Sequence, residues 1–145
     1  MEEFKKILVP TDGSEANEIV VEKGLGLARL LGARVTALFV VDTSTFKGVP
    51  PDELITTLRG YMEVKGDEVL GEIVDKGEEM GVGVDKSLTH GHPDEIIIKD
   101  SEDHDLIVIG THGRSGISRL LMGSTAERVV RYSKCPVMVI RIKEE

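Results

Sequence analysis

Apolar residues follow two alternating rhythms along this chain. Short, nearly unbroken runs occur at Ile7-Leu8-Val9, Val35 to Val41, Leu106 to Ile109 and Val137 to Ile142. Runs of this length, rich in branched side chains and bounded by turn residues, read as strands buried on both faces. Between them the spacing becomes helical. Ala16, Ile19, Val20, Leu27, Ala28 and Leu31 share one face of a helix over 14–31, which Gly32 ends. Residues 43–50 form a loop. Pro51 suits a first helical position and opens a long polar helix to about Met80. The glycines at 60, 66, 71 and 77 each cost that helix roughly 1 kcal/mol against alanine, so a break near Gly60 or Gly66 is expected. Val82 to Leu88 alternates imperfectly and reads as a half-exposed edge strand. Pro93 starts a short helix that ends near His104, Ser118 to Met122 suits one helical turn, and Ser124 to Tyr132 is the last helix. With the first strand over 5–11, strands and helices alternate throughout, with no repeat, linker or low-complexity run. That alternation predicts an α/β fold, a doubly wound parallel sheet with right-handed crossovers. Ligands of such sheets sit beyond the carboxyl ends of the strands, where strand order reverses.

The stretch from Leu106 to Val130, LIVIGTHGRSGISRLLMGSTAERVV, carries the strongest chemical signal. A buried strand ends at Gly110, and Gly113, Gly116 and Gly123 follow among Ser115, Ser118, Ser124 and Thr125. Ser124-x-x-Glu127 reads as a capping box at the start of the helix. Strand, small-residue loop and helix N-terminus together suit a phosphate, because glycine lets the backbone come close and free N–H groups point outward. A plain loop with a plain cap is the bland alternative. From Thr111 to Lys134 there are four Arg and one Lys against the single Glu127, on a chain of formal net charge -8.

Gly110-x2-Gly113-x9-Gly123-Ser124 after a hydrophobic strand resembles the nucleotide loop of the universal stress protein family, in its ATP-binding branch. The likeness extends to Ile7-Leu8-Val9-Pro10-Thr11-Asp12-Gly13-Ser14, to Leu38-Phe39-Val40-Val41-Asp42 and to Cys135-Pro136-Val137-Met138-Val139-Ile140. It implies a Rossmann-like five-stranded parallel sheet in the order 3-2-1-4-5, with helices on both faces and a crevice between strands one and four. Asp12 and Gly110 both end there. By the same resemblance Pro10, Thr11 and Asp12 contact the adenosine part, and the main chain of Val40 reads the adenine edge. Gly110, Gly113, Gly123, Ser124 and Thr125 surround ribose and phosphates. Arg114 stands where the family's loop varies, and its expected role is to close over the terminal phosphate. His112 lies inside the loop, either donating to a phosphate or packing there. Without the loop beside it, Asp12 would serve equally well as a helix cap. The last strand would lie at an open edge while remaining apolar, so antiparallel pairing with its copy over Val137 to Ile142 is expected, giving a two-fold homodimer.

Composition narrows the remaining choices. The chain has 145 residues, the length of one domain, with 40% hydrophobic and 3% aromatic residues, so its core is aliphatic. The acidic balance argues against a nucleic-acid or anionic-membrane binder. No apolar run approaches the ~20 residues of a membrane span, and the N-terminus lacks a signal-peptide pattern, so a cytoplasmic protein is expected. Cys135 is the sole cysteine. The Walker pattern GxxxxGK[ST] is missing, and GxGxxG does not follow the first strand. A bound Mg²⁺ would therefore be held by phosphate oxygens and water. His90, His92, His104 and His112 lack an established metal spacing, and surface histidines in loops explain them better. No nucleophile–base pair is evident. The favoured reading is an ATP-binding homodimer (ADP or AMP being alternative occupants) that serves as a stress-linked regulatory switch for an unidentified protein partner. The alternative is a slow or partner-dependent ATPase or phosphoryl-transfer enzyme, in which Glu127 or His112 orients water. A nucleotide-free dimerisation module is the third.

Overall fold

The computed structural model describes residues 3–50, 52–112 and 122–142. Its five strands are β1 (Lys6–Thr11), β2 (Arg34–Asp42), β3 (Val84–Gly91), β4 (Leu106–Gly110) and β5 (Val137–Ile140). They form one sheet in the order β3-β2-β1-β4-β5, and every recorded pair is parallel. The helices are α1 (Glu18–Leu31), α2 (Glu53–Met80), α3 (Pro93–Asp100) and α4 (Ser124–Tyr132). The chain winds from β1 outward to β3 through α1 and α2, then crosses back to β4 and β5 through α3 and α4. Right-handed crossovers in opposite directions put the two helix pairs on opposite faces.

The strand residues alternate between two cores. Ile7, Val9, Val35, Ala37, Phe39 and Val41 meet α1 and α2, through Val20, Leu25, Ala28, Leu70 and Ile73. Leu8, Leu38, Ile107 and Ile109 meet Ile97 of α3 and Val129 of α4 on the other face. Burial on both faces explains why the central strands are continuous apolar runs, as expected.

Several boundaries differ from the sequence reading, each for a local reason. The first helix opens as a 3-10 turn over Glu15–Asn17 before α1 begins at Glu18. Gly32 ends α1 in the left-handed conformation, at φ 69°. Helix α2 starts at Glu53, not at Pro51, because Asp52 is its cap and accepts a 2.9 Å hydrogen bond from Ile55 N–H. Pro51 itself lies outside the described residues. The expected break is absent: α2 runs uninterrupted for 28 residues. Two of its glycines are contact points with the sheet. A Cβ at Gly66 would lie 2.6 Å from Leu88 Cδ1 and 2.7 Å from Phe39 Cδ1, and one at Gly77 would lie 2.5 Å from Val84 Cγ2. Glycine there lets the helix sit close on β2 and β3. Strand β3 occupies an edge, as expected, but begins at Val84 and extends to Gly91. Strand β5 ends at Ile140, while Ile142 continues as a buried residue. Met122 lies in no helix, and the rest of the turn expected over 118–122 falls outside the described residues.

Asp105 ties the N-terminal ends of β1 and β4 together. Its Oδ2 accepts hydrogen bonds from the main-chain N–H of Lys5 and of Lys6, each 2.9 Å. These donors hold the carboxyl below the usual aspartate range. A depressed folded pKa means that the contribution is fully present above the unfolded value, about 3.9, and is lost as pH falls through the folded value. Asp105→Asn is therefore expected to be less stable than wild type at neutral pH. The gap should narrow in acid, as urea midpoints measured across that range would show.

Candidate functional site

The C-terminal ends of the strands carry most of the sequence-marked residues. The ladder between β1 and β2 runs from Lys6–Arg34 to Thr11–Phe39. The ladder between β1 and β4 contains only Ile7–Leu106 and Leu8–Ile107. Both strands continue beyond that point without further recorded pairing, and the reversal of strand order lies between them. Pro10, Thr11 and Asp12 stand on one side of it, and Gly110 and Thr111 on the other. Val40, one residue beyond the partner of Thr11, is level with Asp12.

The turn after β1 is built by its own polar side chains. Asp12 Oδ1 accepts from Ser14 N–H at 2.9 Å and from the Ser14 hydroxyl at 2.6 Å. Thr11 Oγ1 accepts from Gly13 N–H at 3.1 Å and from Asn17 Nδ2 at 2.9 Å. Asn17 is buried and fixes the Thr11 hydroxyl from beneath. Gly13 has φ 76°, a conformation that glycine adopts without strain. Asp12 thus shapes the turn through Ser14, and the helix has no side-chain cap at its cap positions Ser14 and Asn17.

Thr111 organises the opposite wall. Its N–H donates to Ile140 O at 3.0 Å, and its carbonyl accepts from Gly123 N–H at 2.7 Å. Its hydroxyl accepts from Ile142 N–H at 3.1 Å. One residue therefore joins the end of β4, the exit of β5 and the entry to α4. The Thr111–Gly123 bond closes the small-residue loop at its base. Gly113 and Arg114 lie within that loop, outside the described residues. Gly110 has a packing role as well, since a Cβ there would lie 2.5 Å from Ile142 Cδ1 and 2.9 Å from Val20 Cγ2.

The expected capping box at α4 is not formed. Gly123 is the cap, in extended conformation, and its carbonyl accepts from Glu127 N–H at 3.0 Å. Ser124 is instead the first helical residue. Its hydroxyl makes no cap, because the main chain of Gly123 already occupies that place. Glu127 turns outward to Arg131, at 3.0 Å. The N–H groups of Ser124, Thr125 and Ala126 have no intrahelical acceptor, as in any first turn, and the helix dipole favours an anion beside them. The helix's own cations serve elsewhere. Arg128 pairs with Asp94 at 2.6 Å and lies over the Tyr132 ring.

The histidines differ in their surroundings, His92 lying in the connection between β3 and α3 and His90 being exposed on its strand. His112 is buried, with Nδ1 3.2 Å from Thr111 Oγ1. His104 is half-buried and bridges Asp100 O and Thr36 Oγ1, at 2.7 and 2.9 Å. His90 lies within β3 and pairs with Glu63 of α2 at 2.8 Å, while His92 is the cap residue of α3. Among the described residues no group of three or more His, Cys, Asp or Glu side chains could hold a metal ion. Half-buried Cys135 lies near Ser133, and burial pushes its thiol up. That favours a structural cysteine over a reactive one.

Sequence reasoning missed Asn17 and Thr111. Asn17 carries no motif, and its role depends on the 3-10 turn that folds it back on Thr11. Thr111 was passed over between two glycines, although its place directly after a buried strand was visible. It also missed an open cleft of about 480 Å³ beside the Gly13 turn, where Phe39, Tyr61, Met62 and Lys65 face Ser14 and Glu15.

Comparison with known proteins places this architecture. The model of the universal stress protein family matches residues 3–141. Universal stress protein MJ0531 of Methanocaldococcus jannaschii is 38% identical over 140 residues, covering 95% of this chain and 82% of that protein. The solved structure of MJ0577, from the same organism, superposes with a TM-score of 0.86 at 32% identity, covering 99% of this chain and 100% of the other. A universal stress protein from Archaeoglobus fulgidus, solved in complex with dAMP, gives 0.67 at 25% identity over 96% and 99% of the two chains. With a family model spanning nearly its whole length and a curated relative above 30% identity, the chain belongs to the universal stress protein family.

Proposed function

We propose that this protein binds an adenine nucleotide, ATP in the first instance, in the crevice between β1 and β4. It works there as a dimeric, nucleotide-dependent regulatory switch. The observation that carries the reading is the junction at Thr111. The β1–β4 ladder stops early, and the Thr111–Gly123 bond brings the first turn of α4 to the same edge as Asp12 and Val40. First-turn N–H groups that have no acceptor within the helix then lie where a phosphate chain can be held. The dAMP complex of the Archaeoglobus relative supports the choice of an adenosine compound. Gly113 and Arg114 complete the loop in this reading, Pro10 and Thr11 flank the adenosine, and any Mg²⁺ is carried by the phosphates. The whole chain acts as one domain.

Denaturing the purified protein and identifying what is released by mass spectrometry tests the ligand. Adenine nucleotide is expected, unchanged in phosphate number after incubation with ATP. Steady accumulation of ADP and inorganic phosphate would favour the enzymatic alternative.

The dimer rests on β5, which lies at the open edge of the sheet and exposes Met138. An apolar edge invites pairing. Sedimentation is expected to show a dimer for the wild type and a monomer for Met138→Lys. A variant that stays dimeric would move the interface away from β5.

A further inference from the structure

Among the described residues, Thr89 on β3 carries a buried side-chain oxygen that serves no visible purpose in the protein alone. Its Oγ1 is buried and has no hydrogen-bond partner among the described residues. Thr89 is the register partner of Val40 in the parallel ladder between β2 and β3. In that ladder Phe39 and Leu88 face α2, so Val40 and Thr89 face the α3 side, one residue further along. Ile96 of α3 closes over the same end, where it would touch a Cβ placed on Gly91. The residue itself is only half-buried. A threonine Cβ carries its methyl and hydroxyl on staggered positions about 120° apart. One rotation therefore exchanges the inward hydroxyl with another substituent position.

We infer that the Thr89 hydroxyl is a specificity-determining contact for the base of the bound nucleotide, made by rotation about Cα–Cβ when the crevice fills. This rests on the adenine-nucleotide reading given above. A buried hydroxyl without a partner destabilises the empty protein, whereas the same hydroxyl bonded to a ring nitrogen or an amino group of the base is satisfied. The rotation gives up no protein hydrogen bond. Thr89 and the Val40 main chain then grip one edge of the base together, at a distance from the phosphate loop.

The test uses Thr89→Val, which keeps the shape and removes the hydroxyl, with adenosine and ATP as probes. Calorimetric titration is expected to show about tenfold weaker binding of both probes, by the same factor, since one neutral hydrogen bond to the base is lost. The melting temperature of the empty variant should rise by about 3 °C, because an unsatisfied group has gone. Thr89→Ser should bind within about threefold of wild type. If wild type binds both probes and Thr89→Val binds them equally well, the contact is wrong while the nucleotide reading stands. If wild type binds neither, both fall. A loss confined to ATP would place the effect at the phosphates and overturn the assignment to the base.

Discussion

Gly77→Val is expected to lower the unfolding free energy by about 3 kcal/mol, the upper end of what overpacking a well-filled core costs. The position looks harmless in sequence, as one glycine of four in a polar helix. In the fold it is where the last turns of α2 rest on the sheet. A Cβ there would lie 2.5 Å from Val84 Cγ2 and 2.8 Å from the carbonyl oxygen of Val82. The valine side chain can turn away, but the main chain cannot without disturbing β3 at its start. Gly60 and Gly71 supply the contrast on the same helix, for a Cβ at either meets nothing within 4 Å. Gly60→Ala and Gly71→Ala should each raise stability, by up to about 1 kcal/mol, through helix propensity alone. Urea unfolding of the three variants checks both signs. Effects of the same sign at all three positions would mean that close approach does not set Gly77 apart on α2.

Gly123→Val is expected to weaken ATP binding at least about a hundredfold, which corresponds to roughly 3 kcal/mol. Gly123 is buried, donates its N–H to Thr111 O and caps α4 through its own carbonyl. Its backbone is extended, at φ -63° and ψ 155°, a main-chain conformation that valine also adopts. The substitution therefore leaves the turn possible and places three carbons beside the first amides of α4. The expected signature is lost affinity with little loss of fold. Circular dichroism and thermal unfolding should stay close to wild type while calorimetric titration shows no saturable ATP binding. Unchanged affinity would mean that the loop around 110–123 does not hold the phosphates.

Much of this architecture was legible because periodicity and burial agree in a parallel sheet. Ile7-Leu8-Val9 and Leu106 to Ile109 lie between two helical layers, and both-face burial forces an unbroken apolar run. Helix α4 was located to the residue, yet its cap was misread. Ser124-x-x-Glu127 satisfies a local pattern, but the Gly123 carbonyl reaches Glu127 N–H first, and Arg131 draws the Glu127 side chain away. The start of α2 was misplaced for a similar reason, as Pro51 is a weaker signal than the Asp52 carboxylate that bonds Ile55 N–H. What could not be read was long-range. The roles of Gly66 and Gly77 depend on which strands lie beneath them, and the role of Asn17 depends on a fold-back to Thr11. The isolated hydroxyl of Thr89 becomes visible only once β3 is set in register with β2.

The most direct measurement is a crystal structure of the protein grown with ATP. The phosphates should lie on the amides of Ser124, Thr125 and Ala126, with the adenosine beside Asp12 and the base against Val40. Nucleotide bound in the cleft of Phe39 and Tyr61 instead, or a β1–β4 crevice filled by the protein's own side chains, would contradict it.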